Sequence, residues 1–131
     1  MIIRTNDKIQ SVEDLDGDVL VDASGCPSMV KRELNLRSGY IGKTYQETLE
    51  NANCFSCDTI RIMFSRFGGY FWIFPRNPEK NEVNVGVGML GDSVSNLREM
   101  LREFKEEQRI TGTVNYVVGG LIPQPHSSPC R

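Results

Sequence analysis

The sequence has one histidine, no long apolar run and almost no excess of either charge. With 15 Lys and Arg against 17 Asp and Glu, the net charge of −2 provides no basic surface for nucleic acid. The histidine, His126, lies near the C-terminus, so a Ser-His-Asp hydrolase would lack a well-placed base. No stretch approaches the roughly 20 apolar residues of a transmembrane helix, and the first residues do not resemble a signal peptide. These absences predict a cytoplasmic protein that binds no nucleic acid.

The length and composition are typical of one folded domain. The chain has 131 residues, of which 39% are hydrophobic and 24% charged, so a sizeable core is expected. Residues 1–123 are predicted to form this domain and residues 124–131 an irregular tail. A G-x-G-x-x-G turn between a first strand and a first helix is absent. A complete dinucleotide-dependent oxidoreductase, with its two domains, rarely fits into a chain this short.

Hydrophobic periodicity predicts an α+β fold with an antiparallel sheet and two helices. Helices are expected from a cap at Ser28 to about residue 36, and from a cap at Asn96 to an end near residues 108–112. The pair Gly119-Gly120 is expected to end the last strand. Four of the strands, from residue 45 to residue 89, suggest a meander. The expected strands are residues 18–22, 45–50, 59–64, 70–74, 82–89 and 113–118.

The cysteines allow a metal site but do not favour one. Cys54-x-x-Cys57 and His126-x-x-x-Cys130 have local spacings that zinc ligands use. The two halves are far apart in the sequence, so a loop with two thiols and an irregular tail is the preferred interpretation. No metal is therefore predicted, although a redox role for Cys54 and Cys57 stays open.

One segment has the pattern of a ligand-contacting turn. Residues 18–22 (DVLVD) are expected to form a buried strand that ends in Asp22, followed by Gly25 and a helix N-terminus. The carboxylate can accept a hydroxyl, the glycine permits close backbone approach, and the helix dipole favours anionic groups. An ordinary strand-turn-helix explains the same residues.

A second segment places aromatic side chains on a strand. Alternation puts Tyr70, Trp72 and Phe74 on one face and Phe71 and Ile73 on the other. The glycines of GVG at residues 86–88 remove side chains from the next strand, which leaves room for a bulky ligand. The segment is therefore interpreted as the wall of an apolar cavity, with plain core packing as the alternative.

Together the two segments resemble the flavin-dependent geranylgeranyl reductases of archaeal lipid and prenyl metabolism, within the class similar to aromatic hydroxylases. DASGCPSMVKREL resembles the Asp-x-x-Gly segment that contacts the flavin nucleotide. YFWIFP followed by GVG resembles the Tyr-x-Trp-x-Phe-Pro and Gly-x-Gly motifs of the lipid cavity. The resemblance spans residues 18–123 and implies a fold like the substrate domain of aromatic-hydroxylase-type flavoproteins.

The resemblance implies an oxidoreductase in which reduced FAD delivers hydride to the double bonds of a prenyl lipid. Carried over residue by residue, Asp22 and Gly25 would contact the flavin nucleotide. The residues that would shape the prenyl cavity, or give it room, are Tyr70, Trp72, Phe74, Pro75, Gly86 and Gly88.

The sequence also departs from the family. The strand and G-x-G-x-x-G turn that should precede DASG, and the Gly-Asp-Ala segment that should follow GGLIP, are missing. The chain is thus expected to be the central part of such an enzyme, inactive alone and weak in FAD binding. It could be a truncation, a dissected domain or half of a split enzyme.

A nucleotide-binding partner chain, a homo-oligomer and peripheral membrane contact are possible associations. The alternatives to an enzyme fragment are a non-catalytic module that binds an apolar ligand and an interaction domain without a ligand.

Overall fold

Five antiparallel strands form one sheet, and a helix packs on one of its faces. The computed structural model describes residues 3–36, 41–66, 68–90 and 96–123. This architecture confirms the α+β class with an antiparallel sheet and two helices. The strands are β1 (Ile41–Glu50), β2 (Arg61–Ser65), β3 (Gly69–Asn77), β4 (Glu82–Leu90) and β5 (Thr113–Pro123), and the helices are α1 (Met29–Glu33) and α2 (Leu97–Glu107).

The strand order is β2-β3-β4-β1-β5. The meander predicted from residue 45 to residue 89 is therefore correct for β2, β3 and β4 but wrong for β1. That strand pairs with β4 on one side and β5 on the other, with Tyr45 opposite both Val87 and Gly119. Between β4 and β5 the ten residues of β1 find backbone partners along both edges, whereas beside the five-residue β2 many of them would lack one.

The core lies between the sheet and α2. The alternation in EVNVGVGM holds, because Val83, Val85 and Val87 are fully buried and belong to the core cluster. Leu49 of β1, Ile73 of β3 and Met89 of β4 belong to the same cluster on the sheet side. The intervening residues of β4 therefore face the opposite side of the sheet, away from the helix.

Helix α2 has the cap and the apolar stripe that the sequence predicts. The Asn96 Oδ1 atom accepts a hydrogen bond from the Glu99 backbone N–H at 3.1 Å. Leu101 is fully buried, and the Phe104 ring stacks on Phe71 of β3 with centroids 4.3 Å apart and planes at 8°. This stack fixes the helix to the sheet.

Strand β5 continues through the two glycines that were expected to end it. Gly119 and Gly120 lie opposite Tyr45 and Thr44 of β1. The Gly120 carbonyl also accepts a hydrogen bond from the Thr44 hydroxyl at 3.1 Å. Pairing with the neighbouring strand thus outweighs the low intrinsic preference of glycine for strands.

The prediction of a buried strand at residues 18–22 is wrong. These residues are not in a strand, and the side chains of Val19 and Val21 are 83% and 81% exposed. No residue from 3 to 36 is buried. The β-branched residues favour an extended chain. Among the described residues, however, no strand pairs with residues 18–22, so this local preference does not produce a strand.

Helix α1 begins where the sequence predicts but ends early. The Ser28 hydroxyl oxygen accepts from the Lys31 backbone N–H at 3.0 Å, which confirms the cap. The helix ends at Glu33, because Asn35 adopts a left-handed φ of 52°. The Glu33 carboxylate accepts from the Ser11 hydroxyl and from the Val12 backbone N–H, which ties α1 to a short 3₁₀ helix at Val12–Asp14.

In the described part of the chain, no helix is long and apolar enough to cross a membrane.

Candidate functional site

The face of the sheet opposite α2, here called the open face, carries the aromatic segment. The registers of β3 and β4 place Tyr70 opposite Gly88 and Trp72 opposite Gly86. Residues directly opposite one another point to the same side of a sheet. The alternation predicted for the aromatic strand is therefore correct, since Phe71 packs under α2 while Trp72 lies on the other side.

Trp72 is the centre of the open face. Its side chain is 7% exposed, and its Nε1–H donates to the Gln46 Oε1 atom at 3.0 Å. The Tyr70 and Phe74 rings flank it, with centroids 5.6 Å and 6.1 Å from the Trp72 ring. A Cβ atom on Gly86 would lie 2.1 Å from the indole, so that glycine is what admits the ring. The hydrogen bond to Gln46 thus orients the Trp72 ring, and the missing side chain at Gly86 leaves the space that the ring fills.

Two adjoining depressions cross the open face and share Thr44, Tyr70 and Ile122; together they are called the aromatic groove. The first has a volume of about 360 Å³, with Phe64, Gly88 and Leu90 in its wall. The second has about 260 Å³. Residues that line the second depression are Thr44, Gln46, Tyr70, Trp72, Phe74, Val118, Gly119, Gly120 and Ile122. None of these side chains is charged, so the second depression suits an apolar molecule.

The structure brings four of the predicted cavity residues to the groove. Tyr70, Trp72 and Phe74 line it directly, and Gly88 forms part of the first depression. Gly86 lies under the indole, where it makes room for Trp72. Pro75 is opposite Val83, on the side that faces α2, and lines neither depression.

Gly86 and Gly88 also begin a G-x-G-x-x-G spacing that ends at Gly91. In a dinucleotide-binding domain this pattern lies in the turn between a strand and a helix, where backbone N–H groups meet the pyrophosphate. Here both glycines are inside β4 and their backbones pair with β3 and β1. The spacing therefore does not mark a phosphate site in this chain.

The Asp22 and Gly25 turn is a separate, exposed feature. The Asp22 carboxylate accepts from the Ser28 hydroxyl and, at 2.9 Å, from the Ser24 backbone N–H, and these bonds hold its pKa below the usual value. Gly25 has a left-handed φ of 87°, and a Cβ there would meet nothing within 4 Å. Asp22 thus stabilises the turn before α1 while its remaining lone pairs stay accessible.

Cys54 and Cys57 are free thiols with raised pKa values. Burial raises the pKa of Cys54, and hydrogen bonding and repulsion from Asp58 raise that of Cys57. Both shifts disfavour the reactive thiolate. Among the described residues no cluster of three metal-ligating side chains occurs. His126 and Cys130, the other half of the zinc alternative, lie outside the described residues.

Sequence reasoning missed the groove residues of β1 and β5. Gln46 and Thr44 reach the groove because β1 lies beside β4, and Val118 and Ile122 because β5 lies beside β1. The alternation in TYQETLE could have shown that Thr44 and Gln46 share a face. The strand order that sets this face beside Trp72 is not visible in the sequence.

The comparisons with known proteins concern the part of the chain that forms the sheet. A family model described as geranylgeranyl reductase catalytic domain matches residues 41–121, more than half of the chain. Digeranylgeranylglycerophospholipid reductase 1 of Methanococcoides burtonii is 36% identical over 58 residues. That alignment covers 43% of this chain and 14% of the relative, so the chain spans a small part of the relative's length. The family match includes the groove residues except Ile122, and it does not include Asp22 or Gly25.

Proposed function

The chain belongs to the family of geranylgeranyl reductase catalytic domains, and from that membership we propose that its aromatic groove binds the prenyl chain of a lipid. The reaction proposed for the assembled enzyme is reduction of the prenyl double bonds. Tyr70, Trp72 and Phe74 form one wall of the site, and Gly88 leaves room beside them.

The observation that carries this proposal is the groove itself. A row of three aromatic rings on β3 lies next to the glycines of β4, and no charged side chain lines the second depression. An extended isoprenoid is apolar and branched, and its transfer from water to such a surface lowers the free energy. The half-exposed rim, where Tyr70 is 38% and Ile122 is 42% exposed, leaves the groove open to a ligand.

FAD is the proposed cofactor of the assembled enzyme, and when bound it would supply the hydride. The residues proposed to contact it are Asp22 and Gly25. Their chemistry fits such a role, since the Asp22 carboxylate is accessible and the Gly25 backbone has open space around it. They lie on a segment with no buried residue, so a nucleotide-binding partner is proposed to cover residues 18–22 and complete the flavin site.

Filling the groove at Gly88 should weaken prenyl binding by at least about tenfold. A leucine side chain at this position would project into the first depression, where it competes for the space of the ligand. Binding of geranylgeraniol to the Gly88→Leu variant can be followed through the fluorescence of Trp72, the one tryptophan in the sequence.

The matched control for this experiment is Gly88→Ala. A Cβ at Gly88 makes only ordinary contacts, 3.4 Å from the Trp72 ring and 3.5 Å from the Thr44 methyl group. The alanine variant should therefore bind within about threefold of the unmodified chain, since a single added methyl fills little of the groove. Equal affinity of the leucine variant, with its fold retained, would place the ligand elsewhere.

The chain alone should not bind FAD stoichiometrically. Only Asp22 and Gly25 are proposed as flavin contacts, and an exposed turn cannot enclose a dinucleotide. Titration with FAD, followed by flavin fluorescence, tests this expectation. Tight binding at one flavin per chain would show that the flavin site is complete. The second candidate function, an apolar-ligand module, also predicts prenyl binding by the chain alone, and it is favoured if no nucleotide-binding partner restores FAD binding.

A further inference from the structure

Gln46 is a polar side chain in the middle of the apolar groove. It lies on β1, between β4 and β5, opposite Gly86 of β4 and Val118 of β5. Neither neighbour has a polar side-chain atom. The amide group of Gln46 must therefore find its hydrogen-bond partners along the groove.

The bond to Trp72 fixes which way the amide points. An indole N–H can only donate, so the Gln46 oxygen faces it, at 3.0 Å. The amide NH₂ group is then directed away from the indole. Among the described residues, the Gln46 side chain makes one hydrogen bond, the one that its oxygen accepts from Trp72. Two donor hydrogens thus remain for a ligand in the second depression, which Gln46 lines.

The other polar groups near Gln46 do not satisfy these donors. The Thr44 hydroxyl donates to the Gly120 carbonyl at 3.1 Å, and among the described residues its oxygen accepts no hydrogen bond from Gln46. A purely hydrocarbon ligand would cover the amide and leave its donors without water or a partner, which opposes binding. An acceptor oxygen on the ligand would remove that penalty.

We propose that Gln46 is a specificity-determining residue, whose amide NH₂ donates to an uncharged acceptor oxygen on a prenyl ligand seated beside Trp72. The acceptor is uncharged because no cationic side chain lines the second depression, so an anion there would lack a counterion. The inference rests on the proposed function and specifies its ligand as a prenyl compound with an ether, ester, carbonyl or hydroxyl oxygen.

Two probes that differ in one atom test the inference. The first is the methyl ether of geranylgeraniol, whose oxygen can only accept, and the second is the hydrocarbon with CH₂ in place of that oxygen. Trp72 fluorescence reports the binding of both to the full chain. We expect the ether to bind roughly fivefold to tenfold more tightly, the ratio that one neutral hydrogen bond provides.

The same ratio should fall to about one in Gln46→Met, which keeps the length of the side chain but removes the donors. Gln108→Met, at the exposed end of α2, is the matched control and should keep the original ratio. A merely structural role of Gln46 would weaken both probes alike and preserve the ratio, and that result would overturn the inference. Equal binding of the two probes by the unmodified chain would also overturn it while leaving the proposed groove intact. Binding of neither probe would reject the proposed function as well.

Discussion

Replacing Phe104 by alanine should lower the free energy of unfolding by about 3–5 kcal/mol, the usual cost of removing a buried phenylalanine. The Phe104 side chain is 6% exposed and stacks on Phe71 at 4.3 Å. Its loss would leave a cavity between α2 and the sheet, at the contact that fixes the helix. Urea unfolding of the variant, followed by circular dichroism, measures the change.

Two variants of α2 control for this effect. Glu103→Ala changes an exposed residue next to Phe104 and should alter stability by less than about 0.5 kcal/mol. Phe104→Leu keeps most of the buried volume and should cost less than the alanine variant. A loss below about 1 kcal/mol for Phe104→Ala would contradict the packing of α2 described here.

Gly86→Ala should destabilise the chain by about 2–3 kcal/mol, at the upper end of what one overpacked methyl costs. The new Cβ would lie 2.1 Å from one carbon of the Trp72 ring and 2.3 Å from another. The ring cannot move aside cheaply, because it is buried, bonded to Gln46 and flanked by two other rings. Thermal unfolding measures the loss of stability, and the Trp72 emission should shift to longer wavelength as the ring is displaced towards water.

Gly88→Ala is the control two residues further along β4. Its Cβ would make only ordinary contacts, and alanine restricts the unfolded chain more than glycine does. Its stability should therefore stay within about 1 kcal/mol of the unmodified chain. The two substitutions add the same methyl group to the same strand. Equal effects would show that the close approach of Trp72 to Gly86 is not what distinguishes these positions.

The sequence predicted the elements of the sheet better than their arrangement. Alternation in EVNVGVGM and in the aromatic segment gave the correct faces, because the side-chain period of a strand is a local property. The Asn96 cap was also predicted, since its hydrogen bond reaches only three residues along the chain. The placement of β1 between β4 and β5 depends on contacts between distant parts of the chain and was not predicted.

The candidate site follows the same division. Tyr70, Trp72 and Phe74 could be assigned to one wall from spacing alone. Gln46 and Val118 could not, because they reach the groove through the β1 pairings. At residues 18–22 the sequence instead predicted an element that does not form. The β-branched residues there favour a strand, but it has no partner among the described residues.

The position of β1 also limits the order in which the sheet can assemble. Strands β2, β3 and β4 follow one another along the chain and pair with their sequence neighbours, so each closes a short loop. The ladder of β1 with β5 joins Gly42 to Ile122, at opposite ends of the sheet-forming region. During synthesis, one edge of β1 therefore lacks its partner until nearly the whole region has left the ribosome. Contacts so distant in sequence close the longest loop of the sheet, so the pairing of β5 with β1 carries the largest loop-closure cost among its ladders.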